Sequence, residues 1–167
     1  MPPRTLLGSR PRAKPPSALN AHAIGATIMH VYETTHPVAH SAEEMFALVA
    51  RIEDYPKFLP LCEALEVTRR DERDGKEVLV ATMTVGYGMI NESFTTRVHL
   101  DRAAHTILVE YLDGPFTFLE NRWRFRPRGQ GACEVAFYIA YAFRSRLFER
   151  LVGRLFAKAV EKYTSAF

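Results

Sequence analysis

Cysteine is scarce in this chain of 167 residues, and its two cysteines stand far apart. Neither Cys62 nor Cys133 has a close-spaced partner, so we predict neither a zinc site nor a disulfide framework. Two isolated thiols favour a reducing compartment. Long apolar runs are missing as well: none approaches the roughly 20 residues that cross a bilayer, which argues against an integral membrane protein.

Catalytic motifs are also missing. Nucleophilic catalysis needs a nucleophile beside a base and a third group that orients the base, but no Ser or Cys stands in such a setting near His99 or His105. Gly86 and Gly88 lie between two predicted strands, which indicates a hairpin turn and not a phosphate-binding loop. No spacing typical of metal ligands is present. We therefore predict that the chain is not an enzyme, needs no cofactor and binds no metal.

Acidic residues are missing before Glu33, whereas Arg4, Arg10, Arg12 and Lys14 all lie in that stretch. The chain has 22 Lys and Arg against 19 Asp and Glu; without those four the balance is 18 against 19, a net charge of −1. The remainder is close to neutral, so it lacks the generally basic surface of a nucleic-acid-binding domain. We expect no DNA partner.

Segment 1–28 contains five prolines, basic and small residues and no acid, so it lacks the apolar material to fold alone. Three interpretations stay open: a disordered tail; a transit peptide, for which an Arg-rich, acid-free composition is typical; or an extension upstream of a true start at Met29. We favour the last, because patterned sequence begins directly after Met29. We predict one domain over 29–167.

Alternating apolar residues bounded by turn residues predict seven strands in this domain. They span 30–36, 65–70, 77–85, 91–100, 106–112, 119–126 and 133–143. Ser41 and Glu44 form a capping box that begins a helix after the first strand, and 57–61 form a short second helical turn. Short turns join the six later strands, which indicates an antiparallel meander, since no crossover helix is available for a parallel sheet.

The last element, 144–167, is a long helix with a broad apolar arc. Two ridges at i, i+4 spacing sweep roughly 200° of its surface, more than the stripe of an ordinary surface helix. One ridge consists of Leu147, Leu151, Leu155, Ala159 and Tyr163, and the other of Phe148, Val152, Phe156 and Val160. The remaining flank is basic and consists of Arg146, Arg150, Arg154, Lys158 and Lys162. Such a helix can close over a lipid-like ligand, lie on an anionic membrane or bind a polyanion.

This order of elements predicts an α+β fold in which one curved antiparallel sheet wraps around the final helix. Incomplete packing would leave a cavity between the sheet and the helix. We favour a place in the core for Trp123, Phe125 and Leu151. We favour the cavity mouth for four residues on loops or element ends, namely Phe58, Leu59, Phe116 and Phe148.

Four arginines at 122, 124, 126 and 128 share one face of a predicted strand. We favour a solvated outer face of the sheet, where such charges discourage aggregation. A patch that contacts phosphate groups is the alternative.

Two motifs resemble a known family. Segment 53–62, EDYPKFLPLC, is followed by 113–116, DGPF, and then by Leu119, Asn121, Trp123 and Phe125. In this order they resemble the coenzyme Q-binding START-domain family of the polyketide cyclase/START-like superfamily, which includes bacterial ribosome-association toxins. The resemblance covers 29–167 and implies the helix-grip fold, with a curved antiparallel sheet around a long C-terminal helix and a hydrophobic cavity between them.

The resemblance also implies a function: binding of ubiquinone or a related polyprenyl lipid, in support of respiratory electron transport and quinone biosynthesis, without catalysis. On this basis we expect the cavity to be lined or gated by Phe58, Leu59, Leu61, Phe116, Trp123, Phe148, Val152 and Phe156. We expect a membrane surface or another anion to be contacted by Arg146, Arg150, Arg154, Lys158 and Lys162. The expected location is cytoplasmic and peripheral to a bacterial inner membrane, or at the mitochondrial inner membrane if 1–28 is a transit peptide.

Two other functions stay open. The resemblance also suggests a protein that binds the large ribosomal subunit and blocks subunit joining, and the basic residues of 122–128 and 146–162 favour it. An aromatic cyclase or hydrolase is the third possibility, because related folds host such chemistry. Fold alone does not establish that activity, and the acid and base groups are missing.

Overall fold

The computed structural model describes residues 23–24 and 27–167, and its main feature is a curved antiparallel sheet. Ahead of the sheet, β1 (Ala23–Ile24) pairs with β2 (Thr27–Ile28). The sheet contains β3 (His30–Val38), β4 (Cys62–Arg73), β5 (Lys76–Tyr87), β6 (Ile90–Asp101), β7 (Thr106–Asp113), β8 (Phe116–Pro127) and β9 (Cys133–Phe143). Its strand order is β3-β9-β8-β7-β6-β5-β4, so β4 to β9 form the predicted meander. Most of segment 1–28 lies outside the described residues. Its interpretation as a tail, a transit peptide or an upstream extension stays a prediction.

In the described part of the chain three helices accompany the sheet: α1 (Ala42–Ala50), a 3-10 helix (Ile52–Lys57) and α2 (Arg146–Ala166). The predicted capping box begins α1: the Ser41 hydroxyl accepts from the Glu44 N–H at 3.1 Å, and Glu44 Oε2 accepts from the Ser41 N–H at 2.8 Å. The second helix lies earlier than 57–61, so that placement was wrong. Pro56 does not break it, because the fixed φ of proline fits a 3-10 turn.

These elements confirm the α+β class and the helix-grip arrangement, with two short helices after the first strand of the sheet. Register shifts within β4, β7 and β8 insert extra residues that curve the sheet. The β3 strand continues through Pro37 and is therefore longer than predicted. Proline has no backbone N–H, but β3 is an edge strand, so this loss breaks no hydrogen bond between strands. None of the helices in the described ranges is long and apolar enough to cross a bilayer.

The α2 helix lies against the concave face of the sheet, and only part of its apolar arc is buried. Its Phe148 and Phe156 rings lie 5.5 and 5.8 Å from the ring of Phe143 on β9. Because the side of α2 that carries Phe148 and Phe156 faces the sheet, Leu147 and Leu151 lie on its solvent-facing flank and are 67% and 65% exposed. The prediction of Leu151 in the core was therefore wrong, whereas Trp123 and Phe125 are buried as predicted.

Candidate functional site

The space between the sheet and α2 is not completely filled, and the larger gap, cavity 1, has a volume of about 90 Å³. Its walls come from the concave face of the sheet and include Ala81, Val98, Ile107, Trp123 and Ile139. Its cover includes Leu59, Phe156, Tyr163 and Phe167. Among the described residues, no Asp, Glu, Lys, Arg or His side chain lines it. Cavity 1 therefore suits a neutral ligand, because moving a charged group from water into this apolar space would cost free energy.

A smaller gap, cavity 2, has a volume of about 30 Å³ and lies beneath the first half of α2. It is lined by residues of α2, of β8 and β9 and of the β5–β6 hairpin, including Phe116, Phe143, Phe148, Val152, Leu155, Val85 and Ile90. Phe94 and Phe156 line both cavities, so their rings form the partition between them. The Phe116 ring braces this partition at 5.4 Å from Phe94 and 5.5 Å from Phe156.

The structure brings seven of the eight predicted apolar site residues to one of the two cavities. Leu59, Trp123 and Phe156 line cavity 1. Cavity 2 is lined by Leu61, Phe116, Phe148, Val152 and again Phe156. Phe58 lines neither, but its ring packs edge to face on Phe167 at 5.0 Å, so it supports the cover of cavity 1 from outside. Their role in ligand binding stays a prediction.

Gly114 fixes the position of Phe116 beside the partition. Its φ of 138° lies in the region that favours glycine, and a Cβ there would lie 2.6 Å from Phe94 Cβ and 2.9 Å from Phe94 Cα. The chain therefore passes close to the backbone of β6. The next turn buries Phe116, whose N–H donates to the Tyr111 hydroxyl at 3.2 Å.

Two polar side chains of cavity 1 are held by hydrogen bonds within the protein. The Tyr55 hydroxyl donates to the Val49 carbonyl at 2.5 Å. The Asn121 amide donates to the Tyr138 carbonyl and accepts from the Trp123 indole N–H, both at 2.9 Å. These bonds fix the Asn121 side chain and leave the Tyr55 hydroxyl without a free proton to donate.

Two further hydroxyls in cavity 1, those of Thr96 and Tyr163, make no hydrogen bond within the described ranges. Thr96 is 7% exposed and lies between Phe94 and Val98 on the inward face of β6. Burial, and to a smaller degree the Cys62 thiol and the Tyr141 hydroxyl, raise the pKa of Tyr163 well above its usual value, so its phenol stays protonated. The sequence analysis identified neither residue as a polar group of the cavity. The alternation of apolar residues along β6 does place Thr96 on the same face as Phe94 and Val98.

The basic flank of α2 is exposed, as the broad pattern of the helix predicts. In the part of the chain that the structure describes, none of Arg150, Arg154, Lys158 and Lys162 lies within 4.0 Å of a carboxylate oxygen. Exposed apolar side chains are also present: Leu147 and Leu151 lie on the same helix, and Tyr87 and Met89 lie at the tip of the β5–β6 hairpin. Tyr87 also lines cavity 2, so this mixed surface adjoins the mouth of that cavity.

The arginines of β8 are different, because most of them are paired. Arg126 and Arg128 bind Glu134 at 3.0 and 2.8 Å, and hydrogen bonds from Arg128 and then Arg126 lower the pKa of Glu134. Arg122 pairs with Glu120, and its guanidinium lies 5.0 Å above the Tyr138 ring. The structure thus confirms the predicted outer sheet face.

The histidines considered for catalysis lie away from both cavities. His99 pairs with Glu110 at 2.8 Å and His105 with Glu43 at 3.2 Å. Among residues 27–167, no three His, Cys, Asp or Glu side chains come together as metal ligands would. That the chain is not an enzyme stays a prediction.

Comparison with known proteins yields relatives of two kinds. The ribosome association toxin RatA of Escherichia coli is 33% identical over 140 residues, which cover 84% of this chain and 85% of the toxin. The mitochondrial coenzyme Q-binding protein COQ10 of Drosophila melanogaster is 27% identical over 140 residues, which cover 81% of this chain and 56% of that protein. Both names match the family that the two motifs resemble.

Solved structures share the fold. The 18 kDa protein CC1736 from Caulobacter crescentus has a TM-score of 0.66 and 32% identity, over 81% of this chain and 91% of that protein. An aromatase/cyclase from a Streptomyces species has a TM-score of 0.64 over 83% of this chain and 88% of its own, but at 19% identity it shows the fold alone.

A family model settles the membership. The model described as polyketide cyclase/dehydrase and lipid transport matches residues 38–167, from the end of β3 through α2. The matched region includes both cavities and the helix that covers them. The chain therefore belongs to the polyketide cyclase/START-like superfamily.

Proposed function

We propose that this protein binds ubiquinone or a related polyprenyl lipid between the sheet and α2 and shields it from water in support of respiration and quinone biosynthesis. The observation that carries the proposal is the pair of apolar cavities on either side of the Phe94 and Phe156 partition. An isoprenoid tail is almost wholly apolar, so its transfer from water into such a space is favourable. The relative named coenzyme Q-binding supports the choice of lipid.

The size of the cavities requires movement on binding. Cavity 1 holds about 90 Å³, about the share of three water molecules in the liquid. A substituted quinone ring with an isoprenoid tail is larger, so α2 must shift outward to admit it. The first turn of α2 is tied to β3 by His30 Nε2 and Glu149 Oε1, which lie 2.5 Å apart, and this link would have to stretch or break.

The proposed place of exchange is an anionic membrane surface. Leu147 and Leu151 would enter the interface, and unpaired cations such as Arg150 and Arg154 would attract headgroups at about 1 kcal/mol each. Cavity 2 would then open towards the lipid. This corresponds to a peripheral location at a bacterial inner membrane, or at the mitochondrial inner membrane if 1–28 is a transit peptide.

The test is to fill cavity 1 and to analyse the bound lipid. Ala81 is 3% exposed and lines the cavity, so Ala81→Leu places three more carbon atoms in the space. Mass spectrometry of lipid extracted from the purified protein should detect a quinone in the wild type and much less in Ala81→Leu. Ala64→Leu, at an exposed site on β4, is the matched control and should retain the wild-type amount. A wild-type extract free of quinones, from cells that make them, would contradict the proposal.

A second candidate function is association with the large ribosomal subunit. The relatives named ribosome association toxin favour it, as do Arg150, Arg154, Lys158 and Lys162, which have no carboxylate partner among the described residues. Sucrose-gradient sedimentation of ribosomes with excess protein tests it. Loss of joined ribosomes with the wild type, and no loss with an Arg150→Glu, Arg154→Glu, Lys158→Glu variant, would favour this function. An unchanged profile would exclude it.

A further inference from the structure

The Thr96 and Tyr163 hydroxyls stand out because neither makes a hydrogen bond to another described residue, although both residues line an apolar space. An unpaired hydroxyl inside a protein costs free energy unless something accepts its hydrogen bond. Thr96 is 7% exposed, and no group in the described ranges bonds to its hydroxyl. Tyr163 lines the same cavity from α2, on the opposite wall. Two proton donors therefore flank one small space.

The other polar groups of cavity 1 limit the chemistry that these donors can serve. The Tyr55 proton is used on Val49, and the Asn121 amide is held by Tyr138 and Trp123. No charged side chain of the described residues lines the cavity, so a carboxylate or phosphate there would have no counter-charge. The matching ligand group is neutral and accepts hydrogen bonds, as a ketone or quinone carbonyl does.

Cavity 2 differs from cavity 1 in its lack of hydrogen-bond donors around its inner part. Around its inner part are the aromatic and aliphatic side chains of Phe116, Phe143, Phe148 and Val152, none of which can donate a hydrogen bond. Among the described residues that line cavity 2, only Glu92 is charged, and it belongs to the hairpin side of the cavity. A hydrocarbon tail that passes the partition would lie here and reach the exposed surface near Tyr87 and Leu151.

We propose that Thr96 and Tyr163 form a recognition site for the carbonyl oxygens of the lipid head, so that the oxygenated ring lies in cavity 1 and the tail passes between Phe94 and Phe156 into cavity 2. This inference rests on the proposed function and adds the orientation of the ligand and the two residues that select it. The ring enters first, and the tail remains next to the membrane-facing mouth. Thr96 and Tyr163 act by positioning and selection, not by catalysis.

The experiment compares two ligands with equal tails in the full-length protein. Decylubiquinone has two ring carbonyls, and decylbenzene has none; isothermal titration calorimetry gives the affinity for each. We expect Thr96→Val and Tyr163→Phe each to weaken decylubiquinone binding by about threefold to tenfold, the effect of one lost hydrogen bond. Binding of decylbenzene should change by less than about twofold, since it makes no such bond.

Matched controls separate the hydroxyls from the packing. Thr96→Ser keeps the hydroxyl and should bind decylubiquinone as the wild type does. Thr95→Val changes the neighbouring threonine, whose hydroxyl bonds to Thr82 on the other face of the sheet, and should leave both affinities unchanged. Tyr138→Phe, beneath Arg122 on that outer face, is the control for Tyr163.

A spectroscopic measurement checks the bond itself. In the wild type, the infrared carbonyl band of bound decylubiquinone should lie at lower wavenumber than in hydrocarbon solvent, and in the Thr96→Val, Tyr163→Phe double variant it should return towards the solvent position. If the wild type binds decylubiquinone and both single variants bind it equally well, the recognition site is refuted while the proposed function stands. If the wild type binds neither ligand, the proposed function fails and this inference fails with it.

Discussion

The two ends of the concave sheet face are covered in different ways. At one end α1 packs Phe46 and Val49 tightly onto the sheet, with the Phe46 ring edge to face on Phe125 at 6.4 Å. At the other end α2 leaves both cavities beneath it. Beside α1 the described residues form a polar cleft of about 390 Å³ but no apolar cavity between helix and sheet, so we call this the solid end and the other the hollow end. We infer that the solid end stabilises the fold, which leaves the hollow end free to open for a ligand.

The largest expected effect tests this division through two phenylalanines. Phe46→Ala at the solid end should lower the free energy of unfolding by about 3 to 5 kcal/mol, because the lost ring leaves a void in close packing. Phe148→Ala at the hollow end should cost about 1 to 2 kcal/mol, since this half-buried ring already borders a cavity. Urea unfolding followed by circular dichroism measures both. Equal losses would contradict the division into two ends.

The next largest effect concerns the turn that holds Phe116. Gly114→Ala should destabilise the protein by about 2 to 3 kcal/mol, because alanine strains a φ of 138° and its Cβ meets the Phe94 backbone. Gly129→Ala is the control: its φ of 66° is also positive, but no atom lies within 4 Å of the added Cβ. Thermal unfolding compares the two. A control that destabilises as much as Gly114→Ala would show that contact with Phe94 is unimportant.

Alkaline pH should loosen the hollow end. Burial, followed by Glu149 and Glu161, raises the pKa of Tyr141 from 10.0 to about 12. The folded state therefore keeps this proton when the unfolded state begins to lose it, so stability falls as pH rises from 10 to 12. The share of this loss that is due to Tyr141 should reach about 2 kcal/mol by the upper end of this window, and the buried Tyr163 adds to the same slope. Tyr141→Phe should flatten that slope in urea unfolding series at each pH; an unchanged slope would assign it to other groups.

The smallest effect is expected at the link between β3 and α2. Glu149→Gln weakens the hydrogen bond with His30, whose ring also stacks on Tyr141 at 5.1 Å. Because both side chains are partly exposed, the loss should be about 0.5 to 1 kcal/mol. Hydrogen exchange of the first turn of α2 should nevertheless become faster, while exchange in α1 stays the same. Faster exchange in both helices would indicate that the two ends are coupled.

Most of the fold was predictable from local patterns. Alternation along the strands located all seven in the sheet, and Ser41 with Glu44 located the start of α1. Composition could not place the 3-10 helix, because proline is excluded from the interior of an α-helix but not from a 3-10 turn. The side of α2 that faces the sheet could not be predicted either, since both of its ridges are apolar and the choice depends on contacts with β8 and β9, such as those of Phe156 with Phe116 and Tyr141.

The candidate site was predictable in its apolar part only. Large apolar residues at element ends, such as Leu59 and Phe116, are easily associated with a cavity. Thr96 is different, because a threonine in a strand is ordinarily a surface residue. Its role depends on which side chains of α2 lie across the cavity from β6. The two elements are far apart in the sequence, so no local pattern predicts that arrangement.

The edges of the sheet have a consequence for how the protein avoids self-association. Pro37 interrupts the outer edge of β3, and exposed charges from Arg69 to Arg73 line β4 at the other edge. Neither edge is a good template for a further strand. If α2 shifts outward as proposed, the inner face that it uncovers adds to the exposed apolar surface around Leu147 and Leu151. Contact with a bilayer at that moment would keep two open molecules from associating through this face.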